Sequence, residues 1–363
     1  MDAGDASTTP ATIDDIVAAA RHRLQGPLWG HIAGGSGTEM ALARNHVAWE
    51  ELALRPRVLR DVSARSTATT FLGRDLSLPI MLAPIGGIAR VHPDGAVAVA
   101  RAAGEVGTAA FVSINSSHTL EEVRRGAPDA VLVFQIYAFR DDELRTSVLR
   151  LAEAAGCIAV CVTVDTNVYG RRERDIRSGF RGRDGTARNY GGRAWPDGER
   201  AAASWEDFAR IRERTPLPLI LKGIMTGEDA DLAVRHGADV VYVSNHGGRQ
   251  LDDTLGTADA LVEVVNAVGG RVPILVDGAI THGSDVLKAL ALGAQAALIG
   301  RLEAYGLAAR GEAGLVQALR ILQEELDVGL GLLGCVGPHE VSPGHVTRLP
   351  GRPREPTPVS PRP

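Results

Sequence analysis

The chain has 363 residues, of which 45% are hydrophobic and 23% charged, a composition typical of a globular protein. Its formal net charge of −5 gives no electrostatic reason to expect nucleic acid or an anionic membrane as a partner. No apolar run reaches the roughly 20 residues of a membrane-spanning helix, and the N-terminus lacks the pattern of a signal peptide. Three cysteines cannot form a disulfide framework. We therefore expect a cytoplasmic protein with neither a membrane nor a nucleic-acid partner.

The N-terminal part precedes the main pattern of the sequence. Residues 1–11 are polar and small, and we expect them to be disordered. Residues 12–50 predict two or three short helices. This helical extension is expected to cap the bottom of the following domain or to flank its top.

One pattern then recurs along the chain: a helical run rich in Ala and Leu, a glycine that ends it, and an apolar run rich in β-branched residues. The apolar runs are continuous, as in parallel strands that are covered by helices on their outer face. Eight strands are predicted, at 79–83, 109–114, 130–137, 158–164, 218–223, 239–245, 273–278 and 296–300. Eight such units predict an α/β fold of the (β/α)8 TIM-barrel type. A doubly wound sheet is the alternative, but no G-x-G-x-x-G motif opens the first unit.

Two segments interrupt or follow the barrel pattern. Residues 173–203, which are rich in Arg and Gly, form an insertion after the fourth strand. An insertion at this place lies above the carboxyl ends of the strands, so it predicts a lid. The single barrel domain is expected to span residues 12–341, and the Pro- and Arg-rich residues 342–363 are expected to be disordered.

Polar side chains are concentrated at the carboxyl ends of the predicted strands, where TIM barrels carry their active sites. In chain order they are Gln135, Tyr137, Thr163, Asp165, Arg171, Arg172, Lys222, Ser244, Asn245, His246, Arg249, Asp277 and Arg301. A barrel selected only for stability has no need of so many polar groups at one rim. This end of the barrel is therefore the predicted site.

The segment SNHGGRQLD (244–252) carries the sharpest signal. The glycines after His246 allow a tight turn that presents His246 and Arg249 to one cavity. A neutral histidine accepts a proton near pH 7, and a guanidinium group holds a carboxylate with two hydrogen bonds. The pair predicts general-base chemistry on an anionic substrate, and a purely structural loop histidine is the alternative.

Three further features support a catalytic rim but leave alternatives open. Asp165 can orient and stabilise a protonated histidine, or it can simply cap a loop. Lys222 ends an apolar strand, where it can form a Schiff base, polarise a cofactor or make an ion pair. The glycines of VDGAITHGSD and IGR, together with Arg301, predict a phosphate site and hence a phosphate-bearing cofactor. Plain glycine turns are the alternative there.

At this point the sequence resembles a family, the FMN-dependent 2-hydroxy-acid oxidases and dehydrogenases, over about residues 12–340. This family includes glycolate oxidase, lactate oxidase, mandelate dehydrogenase and 4-hydroxymandelate oxidase. The motifs that carry the resemblance are PRVLRDVS, LPIMLAP, HPDGAVAVARAAGEVGT, FQIY, TVDTNVYGRRERDIR, LKGI, SNHGGRQLD, VDGAI and ALGAQAALIGR. The segment AGGSGTE (33–39) is similar to the 4-hydroxymandelate oxidase branch.

The resemblance implies that FMN is the cofactor and that His246 is the active-site base, with Asp165 as its partner. Arg172 and Arg249 would hold the substrate carboxylate, and Tyr137 would contact the substrate oxygen. Lys222 would lie at the N1 and O2 edge of the flavin and stabilise negative charge there. The implied cofactor contacts are Pro84, Ile85, Gly86, Ser113, Gln135, Thr163, Lys222, Ser244, Asp277, Gly278, Ala279, Thr281, Gly300 and Arg301.

The sequence departs from the family pattern at its predicted phosphate site. Thr281 stands where many members have an arginine, and Ala279 replaces a glycine. The change at Thr281 removes one cation, which leaves Arg301 and His282 to compensate. We therefore expect weaker FMN binding than in members that keep the arginine.

Other departures concern the predicted substrate pocket. His31 stands where members often have a substrate-binding tyrosine. Asn115 occupies a place where an aromatic residue is common in glycolate oxidase, and Gly86 one where an alanine usually faces the flavin. Together Gly86 and Asn115 are expected to open and polarise the pocket. They favour a bulky or aromatic substrate, similar to mandelate, over glycolate or lactate.

The expected reaction is oxidation of an (S)-2-hydroxy acid to the 2-oxo acid by a homotetramer, with oxygen as the acceptor and hydrogen peroxide as product. The sequence leaves open whether the base removes the C2 proton or the hydroxyl proton. It also leaves open a dehydrogenase with another acceptor, an FMN-dependent isomerase of the type 2 isopentenyl diphosphate isomerase kind, and a degenerate flavin-binding protein. The complete set of His246, Arg249 and Arg172 argues against the last two.

Overall fold

The structure is a computed structural model that describes residues 10–180, 188–190 and 202–350. Three short strands come first: β1 (Leu52–Leu54), β2 (Thr69–Phe71) and β3 (Arg74–Leu76). The next eight are β4 (Ile80–Leu82), β5 (Ala109–Ser113), β6 (Val131–Tyr137), β7 (Ala159–Thr163), β8 (Leu219–Ile224), β9 (Val240–Val243), β10 (Ile274–Val276) and β11 (Ala296–Ile299). These eight form a closed parallel barrel in the order β10-β11-β4-β5-β6-β7-β8-β9. The predicted TIM barrel is confirmed. Seven of the predicted strands contain an observed barrel strand, and β8 extends one residue past the predicted 218–223, to Ile224.

Helices cover the barrel and precede it. Three lie in the N-terminal extension: α1 (Ile13–Arg23), α2 (Gly26–Ala33) and α3 (Met40–Glu50). The others follow the barrel strands: α4 (Gly95–Val106), α5 (Leu120–Gly126), α6 (Asp142–Ala154), α7 (Glu173–Ser178), α8 (Trp205–Arg212), α9 (Gly227–Arg235), α10 (Thr257–Val268), α11 (Gly283–Ala291) and α12 (Arg301–Leu333). Gly107 shows why a glycine ends a predicted helical run. It follows α4 with φ 78°, a left-handed conformation that favours glycine.

The interior of the barrel is solid at its amino-terminal end. Side chains that point inward, such as Met81, Phe111 and Tyr242, pack against Phe71 and Leu76 of the β2–β3 hairpin. This hairpin directly precedes β4, so it plugs the end of the barrel at which the strands begin. Among the described residues, the interior of the barrel therefore has its space for a ligand at the carboxyl ends of the strands.

The N-terminal extension holds three helices, as predicted. Helix α1 packs on α12, α2 contacts α7, and α3 contacts α10. Both α2 and α3 contribute side chains to the cavity described below. Of the two places expected for the extension, these helices thus occupy the top, beside the carboxyl ends of the strands.

The predicted disorder from Ser342 onward is wrong for the first part of that tail. Pro343–His345 forms a 3₁₀ turn, and β12 (Val346–Arg348) pairs antiparallel with β1. His345 is buried, and its Nε2 lies 3.5 Å from Sγ of Cys335. The backbone pairing and this contact give the tail a structure that its Pro- and Arg-rich composition does not indicate.

Other expectations about the ends and the insertion fall partly outside the described residues. The residues outside the described ranges are 1–9, 181–187, 191–201 and 351–363, so they include parts of the predicted disordered ends and of the predicted lid at 173–203. The start of the insertion forms α7, and its end leads into α8. Within the described ranges, no helix is both long and apolar enough to cross a membrane.

Candidate active site

A cavity of about 1050 Å³ lies at the carboxyl ends of the barrel strands. It brings together most of the predicted site residues: His31, Pro84, Ile85, Gly86, Asn115, Tyr137, Arg172, Lys222, His246, Arg249, Asp277, Gly278, Ala279, Thr281, Gly300 and Arg301. Asp165, Ser113, Gln135, Thr163 and Ser244 are not among its lining residues. The motifs that the sequence spreads over more than 250 positions therefore meet around one space.

His246 and Asp165 form the predicted pair. Nδ1 of His246 lies 3.2 Å and 3.3 Å from the two carboxylate oxygens of Asp165. His246, Gly247 and Gly248 have φ values of 59°, 62° and 75°, so the turn after β9 needs its glycines. A Cβ at Gly248 would lie 2.5 Å from the backbone nitrogen of Leu42. The turn packs closely against α3 and holds the imidazole at the cavity.

The environment keeps His246 neutral and Asp165 ionised. Burial lowers the pKa of the His246 imidazole below its ordinary value, and Lys222 lowers it further, against the opposing effect of Asp165. Burial raises the pKa of the Asp165 carboxyl, but His246 and Lys222 outweigh it, so this pKa is lowered overall. A neutral imidazole that donates from Nδ1 to Asp165 keeps Nε2 as a proton acceptor. This is the arrangement of a general base.

Lys222 belongs to a buried hydrogen-bond network. Its Nζ donates to Oγ of Ser244 at 2.8 Å and lies 3.7 Å from Oδ2 of Asp277. Ser244 and Tyr242 both donate to the same carboxylate oxygen, at 3.0 and 2.9 Å. Burial lowers the pKa of Lys222, but Asp277 and Asp165 outweigh it and raise this pKa overall. Among the roles left open by the sequence, a charged lysine favours charge stabilisation over a Schiff base, which needs a neutral amine.

Arg172 presents an unpaired donor. Its Nη1 donates to Oη of Tyr169 at 2.5 Å, and the guanidinium carbon lies 4.2 Å from the centre of that ring. Nε is buried and has no hydrogen-bond partner among the described residues. A buried charged donor without a partner is unfavourable, which fits a site that receives an anion. The sequence analysis missed Tyr169, although it precedes Arg172 by three residues in the same motif.

Arg249 and Arg301 both bind the end of α2, which the sequence did not predict. Nη1 of Arg249 donates to the carbonyls of His31 and Gly34, at 2.6 and 2.8 Å. Arg301 donates from Nε to the carbonyl of Ile32 at 3.1 Å and from Nη2 to that of Gly34 at 2.8 Å. Cations at a helix C-terminus satisfy its last carbonyls. The two arginines therefore attach α2 to the cavity in addition to lining it.

His31 forms a second histidine–carboxylate pair. Its Nδ1 lies 2.9 Å from Oδ2 of Asp175 in α7, and its ring centre lies 4.6 Å from that of Phe180. Burial and Arg249 lower the pKa of His31 to about 4, against the opposing effect of Asp175. The imidazole is therefore neutral at pH 7, and it connects α2 to the insertion after β7.

The predicted phosphate end is only partly available to an anion. The backbone N–H and the hydroxyl of Thr281 both donate to Oδ2 of Asp285, at 3.1 and 3.2 Å. Nδ1 of His282 lies 3.3 Å from Oε1 of Glu325, so the histidine expected to compensate for the missing arginine is itself paired. Gly278 has φ 97°, and a Cβ there would meet Thr257 at 2.6 Å. The cation left at this end among the predicted contacts is Arg301.

The barrel wall behind the cavity holds the remaining predicted cofactor contacts. Ser113 Oγ donates to Oε1 of Gln135 at 2.8 Å, and Gln135 Nε2 donates to the carbonyl of Ile136 at 2.8 Å. Oγ1 of Thr163 and Oδ1 of Asp277 are buried without a hydrogen-bond partner in the described part of the chain. Unpaired polar atoms beside a charged lysine are suited to the polar edge of a bound cofactor.

Asn115 does not polarise the pocket in the simple way that the sequence suggested. Its Nδ2 donates to Oη of Tyr137 at 2.8 Å, and its Oδ1 accepts from Oη of Tyr190 at 2.6 Å. Both ends of the amide are therefore bound by tyrosines. Tyr190 also lines the cavity, and the sequence analysis missed it because the insertion around it shows no periodic pattern.

Comparisons with known proteins show the family of this chain. The family model for FMN-dependent dehydrogenases matches residues 20–348. This chain belongs to the FMN-dependent dehydrogenase family. It is 42% identical to 4-hydroxymandelate oxidase of Amycolatopsis orientalis over 344 residues, which cover 90% of this chain and 95% of that protein. It is 38% identical to glycolate oxidase of Spinacia oleracea over 350 residues, which cover 92% and 95%.

Solved structures of mandelate oxidase are similar to this chain over nearly its whole length. One, a mutant with (S)-mandelic acid, superposes with a TM-score of 0.87 at 40% identity and covers 95% of this chain and 100% of its own. Another, a mutant with an FMN adduct, has a TM-score of 0.84 at 41% identity and covers 90% and 97%. The predicted family, fold and cofactor are confirmed.

FMN is therefore the cofactor, and the residues present fit it. Lys222 supplies a charged donor, Thr163 and Asp277 supply unpaired polar atoms, and Arg301 supplies a cation. Gly86 and Gly300 line the cavity without side chains, which leaves room for a flat ring system. These are the residues that would hold the group.

Proposed function

We propose that this enzyme oxidises an (S)-2-hydroxy acid to the 2-oxo acid and passes the electrons to molecular oxygen, which yields hydrogen peroxide. The observation that carries the proposal is the neutral His246, paired with Asp165, in the same cavity as the unpaired Nε of Arg172. The cavity thus offers a base and an anion-binding donor, the two groups that a hydroxy acid requires. The relatives named above include oxidases for glycolate and for 4-hydroxymandelate.

The side chains divide the chemistry between them. Arg172 and Arg249 bind the substrate carboxylate, and this fixes the C2 carbon and its hydroxyl relative to the base. His246 accepts one proton from the substrate at Nε2, and Asp165 stabilises the resulting imidazolium. Tyr137 donates a hydrogen bond to the substrate oxygen. When bound, FMN supplies the acceptor for the two electrons that the substrate loses.

Lys222 contributes positive charge where electron density accumulates. Its ammonium is buried and held by Ser244 and Asp277, so it does not have to reorganise during the reaction. Preorganised charge of this kind stabilises a transition state by a few kcal/mol, typically about 3 kcal/mol for one donor.

We propose an aromatic substrate similar to mandelate. Gly86 lacks a side chain at the cavity wall, and a Cβ there would lie 3.0 Å from Cβ of Asn115. The cavity of about 1050 Å³ is larger than the flavin and a three-carbon acid need together. The resemblance to mandelate oxidases and to 4-hydroxymandelate oxidase supports the same substrate class.

Steady-state assays of the purified holoenzyme test both proposals. The substrates are the two enantiomers each of mandelate, 4-hydroxymandelate and lactate, together with glycolate, with peroxide and 2-oxo acid measured in parallel. We expect equal amounts of peroxide and 2-oxo acid and the highest kcat/KM for an (S)-aromatic acid. Oxidation with an artificial acceptor but without peroxide would contradict the oxidase assignment. Conversion of isopentenyl diphosphate with Mg²⁺ would favour the isomerase.

We also propose that the enzyme is a cytoplasmic homotetramer. Large apolar side chains are exposed at Val58, Leu59 and Leu332, as expected for a surface that contacts other copies of the chain. The three cysteines are all free and buried, which is compatible with a reducing compartment. Light scattering at micromolar concentration tests the assembly, and a mass of one or two chains would contradict it. Fractionation of cells tests the location.

A further inference from the structure

Asn115 lies between two tyrosines at the wall of the cavity. The hydroxyl of Tyr190 donates to its Oδ1 at 2.6 Å, and its Nδ2 donates to the hydroxyl of Tyr137 at 2.8 Å. The backbone of Asn115 is fixed as well, because its N–H donates to Oγ of Ser113 and its carbonyl accepts from Gly87. The three side chains therefore form a continuous chain of hydrogen bonds that ends at a predicted catalytic hydroxyl.

Tyr190 is held firmly although it lies in the insertion after β7. Its side chain is only 2% exposed, and its ring packs edge-to-face on Phe139, with centres 6.0 Å apart. Phe139 packs in the same way on Tyr137, at 6.1 Å. The neighbouring Asn189 donates to the carbonyl of His118 at 3.0 Å. The hydroxyl of Tyr190 is thus aimed at Asn115 by packing and not by chance.

The direction of the hydrogen bonds matters for Tyr137. A hydroxyl that accepts a hydrogen bond from an amide is a stronger hydrogen-bond donor and a stronger acid. The reason is that the amide stabilises the negative charge that develops on the oxygen when the hydroxyl shares or loses its proton. Tyr137 lines the cavity. The hydrogen bond that its oxygen accepts from Asn115 restricts the direction in which its hydroxyl can donate its own proton. A hydrogen bond from Tyr190 to the carbonyl oxygen of the amide polarises the amide and strengthens its donor end.

We propose that Asn115 and Tyr190 are positioning residues that orient and strengthen Tyr137 as the hydrogen-bond donor to the substrate oxygen. Neither residue needs to touch the substrate for this role. The assignment of the substrate rests on the proposed function, whereas the hydrogen-bond relay itself can be tested without any turnover.

The first test measures the relay directly in the holoenzyme. The chain has five tyrosines, so incorporation of 3-fluorotyrosine gives five ¹⁹F resonances, which Tyr→Phe variants assign. We expect the pKa of Tyr137 to rise by about half a unit or more in Asn115→Leu, because a donor to the phenolate is lost. A smaller rise is expected in Tyr190→Phe, and the resonance of Tyr305 should not change in either variant. An unchanged titration of Tyr137 in both variants would overturn the proposal.

The second test asks whether Tyr190 acts through Tyr137. In a double-mutant cycle, Tyr190→Phe should lower kcat about tenfold in the wild-type background, with a smaller change in KM, and by less than twofold in the Tyr137→Phe background. Equal effects in both backgrounds would show that Tyr190 acts independently, which overturns the positioning role.

The two tests separate the possible failures. If the wild-type enzyme oxidises none of the hydroxy acids, the proposed function fails, and the fluorine titration still decides whether the relay exists. If oxidation occurs and the titration and the cycle show no coupling, only the relay fails.

Discussion

The charge on Asp165 is predicted to be essential for the base, and Asp165→Asn removes it with little change in shape. The carboxylate oxygens lie 3.2 and 3.3 Å from Nδ1 of His246, in a buried setting. Two unit charges about 4 Å apart at an effective dielectric constant of about 20 interact by about 4 kcal/mol. Loss of that stabilisation of the imidazolium corresponds to about a 10³-fold slower proton transfer.

A second effect acts in the same direction. The introduced amide can donate to Nδ1, which places the imidazole proton on Nε2 and removes the acceptor. In the serine-protease triad, the wrong tautomer of this kind lowers kcat by about 10⁴-fold. We therefore expect a loss of about 10³- to 10⁴-fold in the rate of FMN reduction by substrate.

Anaerobic stopped-flow absorbance measures this rate, with bound FMN quantified for each variant. Asp231→Asn is the matched control, because Asp231 pairs with Arg271 at the surface, 2.8 Å away, far from the cavity. We expect the control to stay within twofold of the wild type. A rate for Asp165→Asn within tenfold of the wild type would refute the electrostatic role assigned to this carboxylate.

Three further predictions concern substrate binding, acid stability and the buried core. Arg172→Lys removes the buried Nε donor that lacks a partner among the described residues, so KM for the hydroxy acid should rise by about 10- to 100-fold; an unchanged KM in steady-state assays would contradict this. The folded state holds the pKa of His31 at about 4 against an ordinary 6.5, so the unfolded chain binds the extra proton and the free energy of unfolding falls as the pH drops from 6.5 to 4. Urea unfolding at both pH values should show that His31→Phe loses about 3 kcal/mol less than the wild type over this range, and equal losses would argue against it. The carboxyl of Glu303 is 1% exposed, burial raises its pKa well above the usual range, and its Oε2 has no partner in the described structure. Glu303→Leu should therefore stabilise the fold by about 1–3 kcal/mol, measured as a higher Tm, and a lower Tm would count against this reading.

Local sequence patterns were sufficient to predict the barrel. Continuous apolar strands and the glycines that end the helices are encoded within each βα unit, as at Gly107. The β2–β3 hairpin and the β1–β12 pair could not be predicted in this way, because three-residue strands show no periodicity. The tail strand also depends on a partner almost three hundred residues earlier, at Leu52–Leu54.

In the candidate site, too, the features encoded in local motifs were predictable, and those that depend on the folded chain were not. His246 and Lys222 lie at strand ends inside recognisable motifs, so the sequence predicts their place. The binding of Arg249 and Arg301 to the carbonyls at the end of α2 was not predictable, since any residue supplies a backbone carbonyl. Tyr190 was missed for a similar reason, because only the folded chain brings it to Asn115.

We propose that the cavity beside His246 and Arg172 binds a 2-hydroxy acid, whose electrons pass to bound FMN. The most direct measurement is an anaerobic titration of the holoenzyme with (S)-mandelate and (S)-4-hydroxymandelate, followed in the visible flavin band. We expect stoichiometric bleaching of this band, its recovery on admission of air, and benzoylformate or its 4-hydroxy analogue as product. A yellow enzyme that neither these acids, nor lactate, nor glycolate bleaches would contradict it.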